Sequence, residues 1–125
     1  MGRTKGHVGY GKNYKGVYHT YFKQLKNGAL KRQIPFNITF EQIGDLWEKQ
    51  PICAYSNISL KQRYGNKDKC FTASLDRIDS SKGYQIQNIQ WVHKIINKMK
   101  GSMSHEEFKN IIKLIRENDP ENLHK

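Results

Sequence analysis

Apolar residues change their spacing several times along the 125-residue chain, and each change marks an element. Between residues 17 and about 33, Val17, Tyr18, Tyr21, Phe22, Leu25 and Leu30 follow helical spacing with lysines between them, which predicts a basic amphipathic helix. Asn27-Gly28 is a break signal inside it. Beyond Pro35, Thr39-Phe40-Glu41-Gln42 fits a capping box, because the Thr hydroxyl and the Gln side chain can each satisfy the other's end of a first helical turn. A helix over residues 40–49 should follow, burying Phe40, Ile43, Leu46 and Trp47, and Pro51 ends it.

In the second half the period shortens. Ile52-Cys53-Ala54-Tyr55 reads as a short strand or knuckle, and residues 61–69 as a polar loop. Residues 71–79 alternate like a strand, Ser80-Ser81-Lys82-Gly83 is turn chemistry, and residues 86–91 make a second strand. Val92, Ile95, Ile96 and Met99 then return to helical spacing, so a helix over 92–100 should dock back on the hairpin. Gly101 can stop that helix, and Ser104-His105-Glu106-Glu107 is a second capping box opening a helix through Phe108, Ile111, Ile112 and Ile115. Ahead of all this, residues 1–16 are rich in Gly and predict a flexible arm. The fold class is α+β, in one small domain with an arm.

Charge adds a partner. The chain carries 22 Lys plus Arg against 11 Asp plus Glu, a net +11, and its first acidic residue is Glu41. Arg3, Lys5, Lys12, Lys15, Lys23, Lys26, Lys31 and Arg32 therefore place +8 of the +11 in the first 40 residues, with Tyr10, Tyr14, Tyr18, Tyr21 and Phe22 interleaved. Unopposed cations with aromatics suit a phosphate backbone, and these eight residues are the candidate contacts to double-stranded DNA. No apolar run approaches the ~20 residues of a membrane span, and the N-terminus leads into no signal-like stretch, so a cytoplasmic protein is expected. Cys53 and Cys70 are expected as free thiols.

The residues that carry chemistry lie between 74 and 100. Ser74-Leu75-Asp76-Arg77-Ile78-Asp79-Ser80-Ser81-Lys82-Gly83-Tyr84, then Asn88-Ile89-Gln90-Trp91-Val92-His93, then Asn97-Lys98-Met99-Lys100, resemble the HNH nucleases of the His-Me finger (ββα-metal) superfamily, most of all the small phage-type enzymes. The resemblance is strong over residues 51–108 and weaker over 20–50. It implies a ββα-metal finger over 51–118, while charge and apolar spacing make 17–50 a basic helical DNA-binding region and Asn118-Asp119-Pro120 leaves a tail over 119–125. It also implies metal ligands at Asp76 and Asn97, with Asn88 tying the loop between the strands to the backbone. A carboxylate and an amide oxygen are hard ligands suited to Mg²⁺ or Mn²⁺.

The chain departs from that pattern at the first His, where it has Arg77. A guanidinium stays protonated and cannot take a proton from water, but it can clamp a scissile phosphate. His93 is then the candidate base, one helical turn before Asn97, with Tyr55, Tyr64, Tyr84 or metal-activated hydroxide as the other options. Asp79 is expected to pair with Arg77. Structural zinc is not expected, because only Cys53 and His93 stand where the family's four-Cys knuckle would be. The resemblance implies a metal-dependent DNA endonuclease of phage, mobile-element or restriction type, acting as monomer or homodimer. The alternative is a catalytically degenerate HNH-fold DNA-binding protein, and RNA is the third possible target.

Overall fold

The computed structural model describes residues 12–63 and 69–121. Arg3, Lys5 and the rest of residues 1–11, together with Tyr64, lie outside the described residues. Strands β1 (Asn13–Tyr14) and β2 (Val17–Tyr18) pair antiparallel around Lys15-Gly16. Both turn residues have positive φ, 54° and 100°, the hand that matches the twist of the flanking strands.

Residues 13–16 are thus folded, which corrects the arm expected there. The cause is a clip onto the helix over residues 40–49. Lys15 Nζ lies 3.0 Å from Asp45 Oδ1 and 2.8 Å from Glu48 Oε1, and the Tyr14 hydroxyl donates to Asp45 at 3.0 Å. Gly44 permits the contact, since a Cβ there would stand 2.4 Å from the Tyr14 ring.

Helix α1 (His19–Lys31) follows at once and runs through Asn27-Gly28 without the expected break. Ala29 is fully buried, and anchoring the last turn in the core outweighs the roughly 1 kcal/mol that a helical glycine costs. β3 (Phe36–Asn37) leads to α2 (Phe40–Lys49), whose capping box forms as predicted: Thr39 Oγ1 accepts from Gln42 N at 3.0 Å and Gln42 Oε1 from Thr39 N at 2.9 Å.

β4 (Ala73–Arg77) pairs antiparallel with β6 (Ile89–His93), in the register Leu75 to Trp91 and Asp76 to Gln90. Between them, β5 (Tyr84–Gln85) pairs in parallel with β3, and Ile86–Asn88 form one 3-10 turn where the second strand was expected to begin. That strand instead extends to His93, because Val92 is wholly buried in the sheet. Helix α3 (Lys94–Lys100) accordingly starts two residues later than its periodicity suggests and packs on the sheet, and α4 (His105–Glu117) opens with the second capping box, Ser104 with Glu107.

Alternation gives the β4–β6 ladder two functions. Ala73, Leu75 and Trp91 face a core shared with Val17, Ala29, Phe40 and Ile43, while Ser74 and Asp76 face α3. Among the described residues no helix is long and apolar enough to cross a membrane. Tyr21 joins α1 to the sheet, its hydroxyl oxygen accepting from Leu75 N at 2.9 Å.

Burial pushes the Tyr21 phenol up to about 12. It stays protonated in the folded chain while an unfolded tyrosine ionises near pH 10, so its contribution is complete below pH ~10 and is lost as pH rises toward 12. Tyr21→Phe should lower stability by about 1 kcal/mol at neutral pH, by stranding the Leu75 amide, and should weaken the loss of stability between pH ~10 and 12. Denaturant unfolding at pH 7 and pH 11 reads both effects.

Candidate active site

Antiparallel β4 and β6 with α3 laid across them put Asp76 and Asn97 on one cavity, with Asn88 on the loop between the strands. Asn88 is 5% exposed and spends its amide on the loop. Its Oδ1 accepts from Asp79 N at 2.8 Å, and its Nδ2 donates to Asp79 O at 3.1 Å and Gly83 O at 2.9 Å. Three bonds from one side chain close residues 79–83 into a fixed loop. Asp79 finishes the turn from inside, accepting from Ser81 N at 2.9 Å and Ser81 Oγ at 2.6 Å, and these bonds hold its carboxyl below the usual range. The expected Asp79–Arg77 pair gives way to this arrangement. Arg77 instead donates from one Nη to both Ser80 O and Lys82 O at 2.8 Å, with its guanidinium 5.5 Å from the Tyr84 ring.

A cavity of about 630 Å³ opens along the free edge of β4, between α1 and α3. Asp76 and Asn97 both line it, and so do Arg32, Arg77, Lys94 and Lys98, four cations around one carboxylate. Lys94 and Lys98 are the functional candidates that the sequence did not single out. Their signal was available, because α3 residues four apart share a face. Among the described residues of the basic N-terminal set, Arg32 reaches the cleft, held by Nε to Gly28 O at 3.3 Å. Lys15 is consumed by Asp45 and Glu48, Lys12 lies 5.8 Å from the Phe40 ring, and Lys23, Lys26 and Lys31 stand exposed on α1.

The two candidate oxygen ligands are arranged differently. Asn97 donates its amide nitrogen to Ser74 Oγ at 2.8 Å. Asp76, 5% exposed, accepts from Gln90 Nε2 at 2.9 Å and from Lys100 Nζ on both carboxylate oxygens, at 3.1 and 2.9 Å. Three hydrogen bonds from these two donors leave the carboxylate one further lone-pair position, which together with the Asn97 amide oxygen makes a pair of hard oxygen donors on one cleft. Mg²⁺ and Mn²⁺ keep several waters and take few protein ligands, so the residues present fit such an ion.

His93 does not line the cleft. Its Nδ1 accepts from Ile95 N at 3.1 Å as the N-cap of α3, and its backbone N donates to Cys53 Sγ at 3.3 Å. A neutral imidazole has one lone pair, and this one is spent on the helix, which removes His93 as the candidate base. Of the three tyrosines considered, Tyr84 lines the cleft. Tyr55 faces away, bonded to His105 Nδ1 at 2.8 Å, and burial beside the Asp76 charge pushes its phenol up to about 12.

Strand, closed loop, strand and helix with these residues define an HNH-type α+β fold. Comparison with solved structures bears this out: the chain is similar to the rare-cutting HNH restriction endonuclease PacI, with a TM-score of 0.57 and 21% identity, over 74% of this chain and 71% of that one. No protein-family model matches the sequence, and no curated protein does.

Because His93 acts as a cap, His93→Ala should cost about 1 kcal/mol of stability, and His93→Asn, which keeps a capping acceptor, should cost less. Thermal melts of the two variants side by side check this.

Proposed function

We propose that the protein is a metal-dependent DNA endonuclease that hydrolyses phosphodiester bonds at a one-metal HNH site, of the phage, mobile-element or restriction kind. The observation that carries this is the convergence of Asp76 and Asn97 on one cleft rimmed by four cations, in a finger whose loop is braced by Asn88. Asp76 and Asn97 would hold Mg²⁺ or Mn²⁺. Such an ion supplies charge stabilisation at the phosphate and at the leaving oxygen, and acidifies water. Lys94, Lys98 and Arg32 bind the backbone on either side of the scissile phosphate, drawing the strand along the β4 edge. Arg77 locks the loop through one nitrogen and offers its remaining donors to the phosphate. With His93 capping a helix, no histidine among the described residues lines this cleft; two phenols do, Tyr84 and Tyr21, and the Tyr21 hydroxyl oxygen already accepts from Leu75 N.

A DNA-binding protein with an inactive finger is the second reading. The observation in its favour is that an ammonium rests on both oxygens of Asp76. Cleavage separates the two. Supercoiled plasmid should be nicked or cut with Mg²⁺ or Mn²⁺ and left intact with chelator, while RNA should be spared. Asp76→Ala and Asn97→Ala should each lower the cleavage rate by at least about 10³, in line with loss of a main electrostatic term, while retaining most DNA affinity. An Asp76→Ala protein that cuts at the wild-type rate would rule out this site.

Residues 1–11 carry Arg3 and Lys5, which can neutralise up to two phosphates. Deleting them should lower the log–log salt slope of duplex binding by up to about 1.8 and leave the finger's melting temperature unchanged. Fluorescence anisotropy across a salt series checks the slope, and an unchanged slope would take both residues off the DNA.

A further inference from the structure

Lys100 is 1% exposed, and its ammonium meets four oxygens: Asp76 Oδ1 at 3.1 Å, Asp76 Oδ2 at 2.9 Å, Arg77 O at 2.6 Å and Ile78 O at 3.1 Å. The Tyr55 ring lies 5.9 Å from the same nitrogen. One carboxylate and two backbone carbonyls are the hard oxygens that a divalent cation takes. They belong to the end of β4 and the entry of the loop, one layer inside the cleft. The fold therefore holds two adjoining positions for positive charge around Asp76: an inner one, filled by the side chain of Lys100, and an outer one, facing Asn97 and the cavity.

We propose that Lys100 is a positioning residue that occupies the inner position so that Asp76 can offer a divalent ion only its cleft side. The proposal rests on the nuclease reading and deepens it. Two effects follow from the geometry. The ammonium fixes both carboxylate oxygens, leaving the free lone pair aimed by default and not by the ion. It also offsets the carboxylate's charge, so the outer ion is held loosely before DNA arrives and the scissile phosphate supplies part of the negative charge that holds it. Without Lys100, Asp76, Arg77 O and Ile78 O form an unfilled oxygen nest, and an ion drawn there sits beneath the cleft, out of line with the phosphate.

The test uses the full chain without DNA, titrated with MnCl₂ and followed by the electron paramagnetic resonance signal of free Mn²⁺. Lys100→Met keeps the length of the stem and removes the charge. It should bind Mn²⁺ about tenfold more tightly than the wild type, because a cation some 3 Å from the carboxylate no longer opposes the ion. Added Mn²⁺ should raise its melting temperature more than that of the wild type. Plasmid cleavage at saturating Mn²⁺ should nevertheless fall by about 10² or more, as expected for a misplaced electrostatic group, with DNA affinity kept. Lys100→Met with Asp76→Asn, which removes both charges, should lose the gain in Mn²⁺ affinity.

A purely structural lysine would give the opposite metal result: Mn²⁺ affinity in Lys100→Met equal to or weaker than the wild type, which overturns the proposal. If Lys100→Met is unfolded without metal, recovery of its circular dichroism on adding Mn²⁺ supports the proposal, and no recovery overturns it. A wild-type protein that cuts no DNA with any divalent ion removes the nuclease reading, and the Mn²⁺ comparison still decides what Lys100 does.

Discussion

The finger is organised around one buried ion pair. Asp76 and Lys100 are 5% and 1% exposed, so both charges are largely shielded from water, and removing one partner of such a pair costs about 3–5 kcal/mol. That penalty pins the last residue of α3 to the end of β4. The same ammonium takes the carbonyls of Arg77 and Ile78, so the chain leaves the strand in a set direction. Asn88 grips the far side of the loop through Asp79 and Gly83. Between these two polar anchors the loop has little freedom, and the Asp76 carboxylate and Asn97 amide are presented from elements that cannot easily slide past each other.

The positive charge is divided by task in a way its linear distribution does not show. Of the basic residues before Glu41, Lys15 is spent on Asp45 and Glu48 and works as a structural clip, whereas Arg32 reaches the cleft. The cleft draws its other cations from the finger itself: Arg77 from β4, Lys94 and Lys98 from α3. Among the described residues, charge that reads as an N-terminal surplus is, at the site, mostly supplied by the second half of the chain.

Local codes were legible and long-range ones were not. Both capping boxes form as written, because the Thr39–Gln42 and Ser104–Glu107 pairs are decided within four residues. The hairpin at residues 13–18 was hidden because its turn is stabilised by α2, some thirty residues away, and a Lys-Gly pair among glycines gives no local sign of that. Gly28 read as a break for the converse reason, its cost being local and its compensation, the burial of Ala29, tertiary. The strand start displaced from Ile86 to Ile89 and the helix start displaced from Val92 to Lys94 share one origin: hydrophobic period cannot tell a residue buried in a sheet from one buried under a helix. Asp76 and Asn97 line one cleft while Asn88 braces the loop between the strands, since their spacing is fixed by a short hairpin and one helix turn. His93 misled because residue type and helix face were right, while the hydrogen bond that consumes its lone pair is visible only in three dimensions. Lys100 lay in plain sight as one lysine among 22 Lys and Arg, and nothing in a sequence distinguishes a buried ammonium from a solvated one.

The parallel pairing of β3 with β5 has a kinetic side. Phe36 sits opposite Tyr84, Gly83 packs against Pro35 with no room for a Cβ, and Trp91 donates to Ile43 O at 3.4 Å, so the loop of the finger is closed by residues nearly fifty positions upstream. The helical half and the finger therefore cannot melt independently without opening a common interior. Such non-local closure favours a single cooperative transition and places the docking of β3 late, after β4, β6 and α3 have assembled from near neighbours. A chain emerging from synthesis would hold its first helices unsupported until residue 91 had been made, and the loop between β4 and β6 would be the last part of the molecule to become rigid.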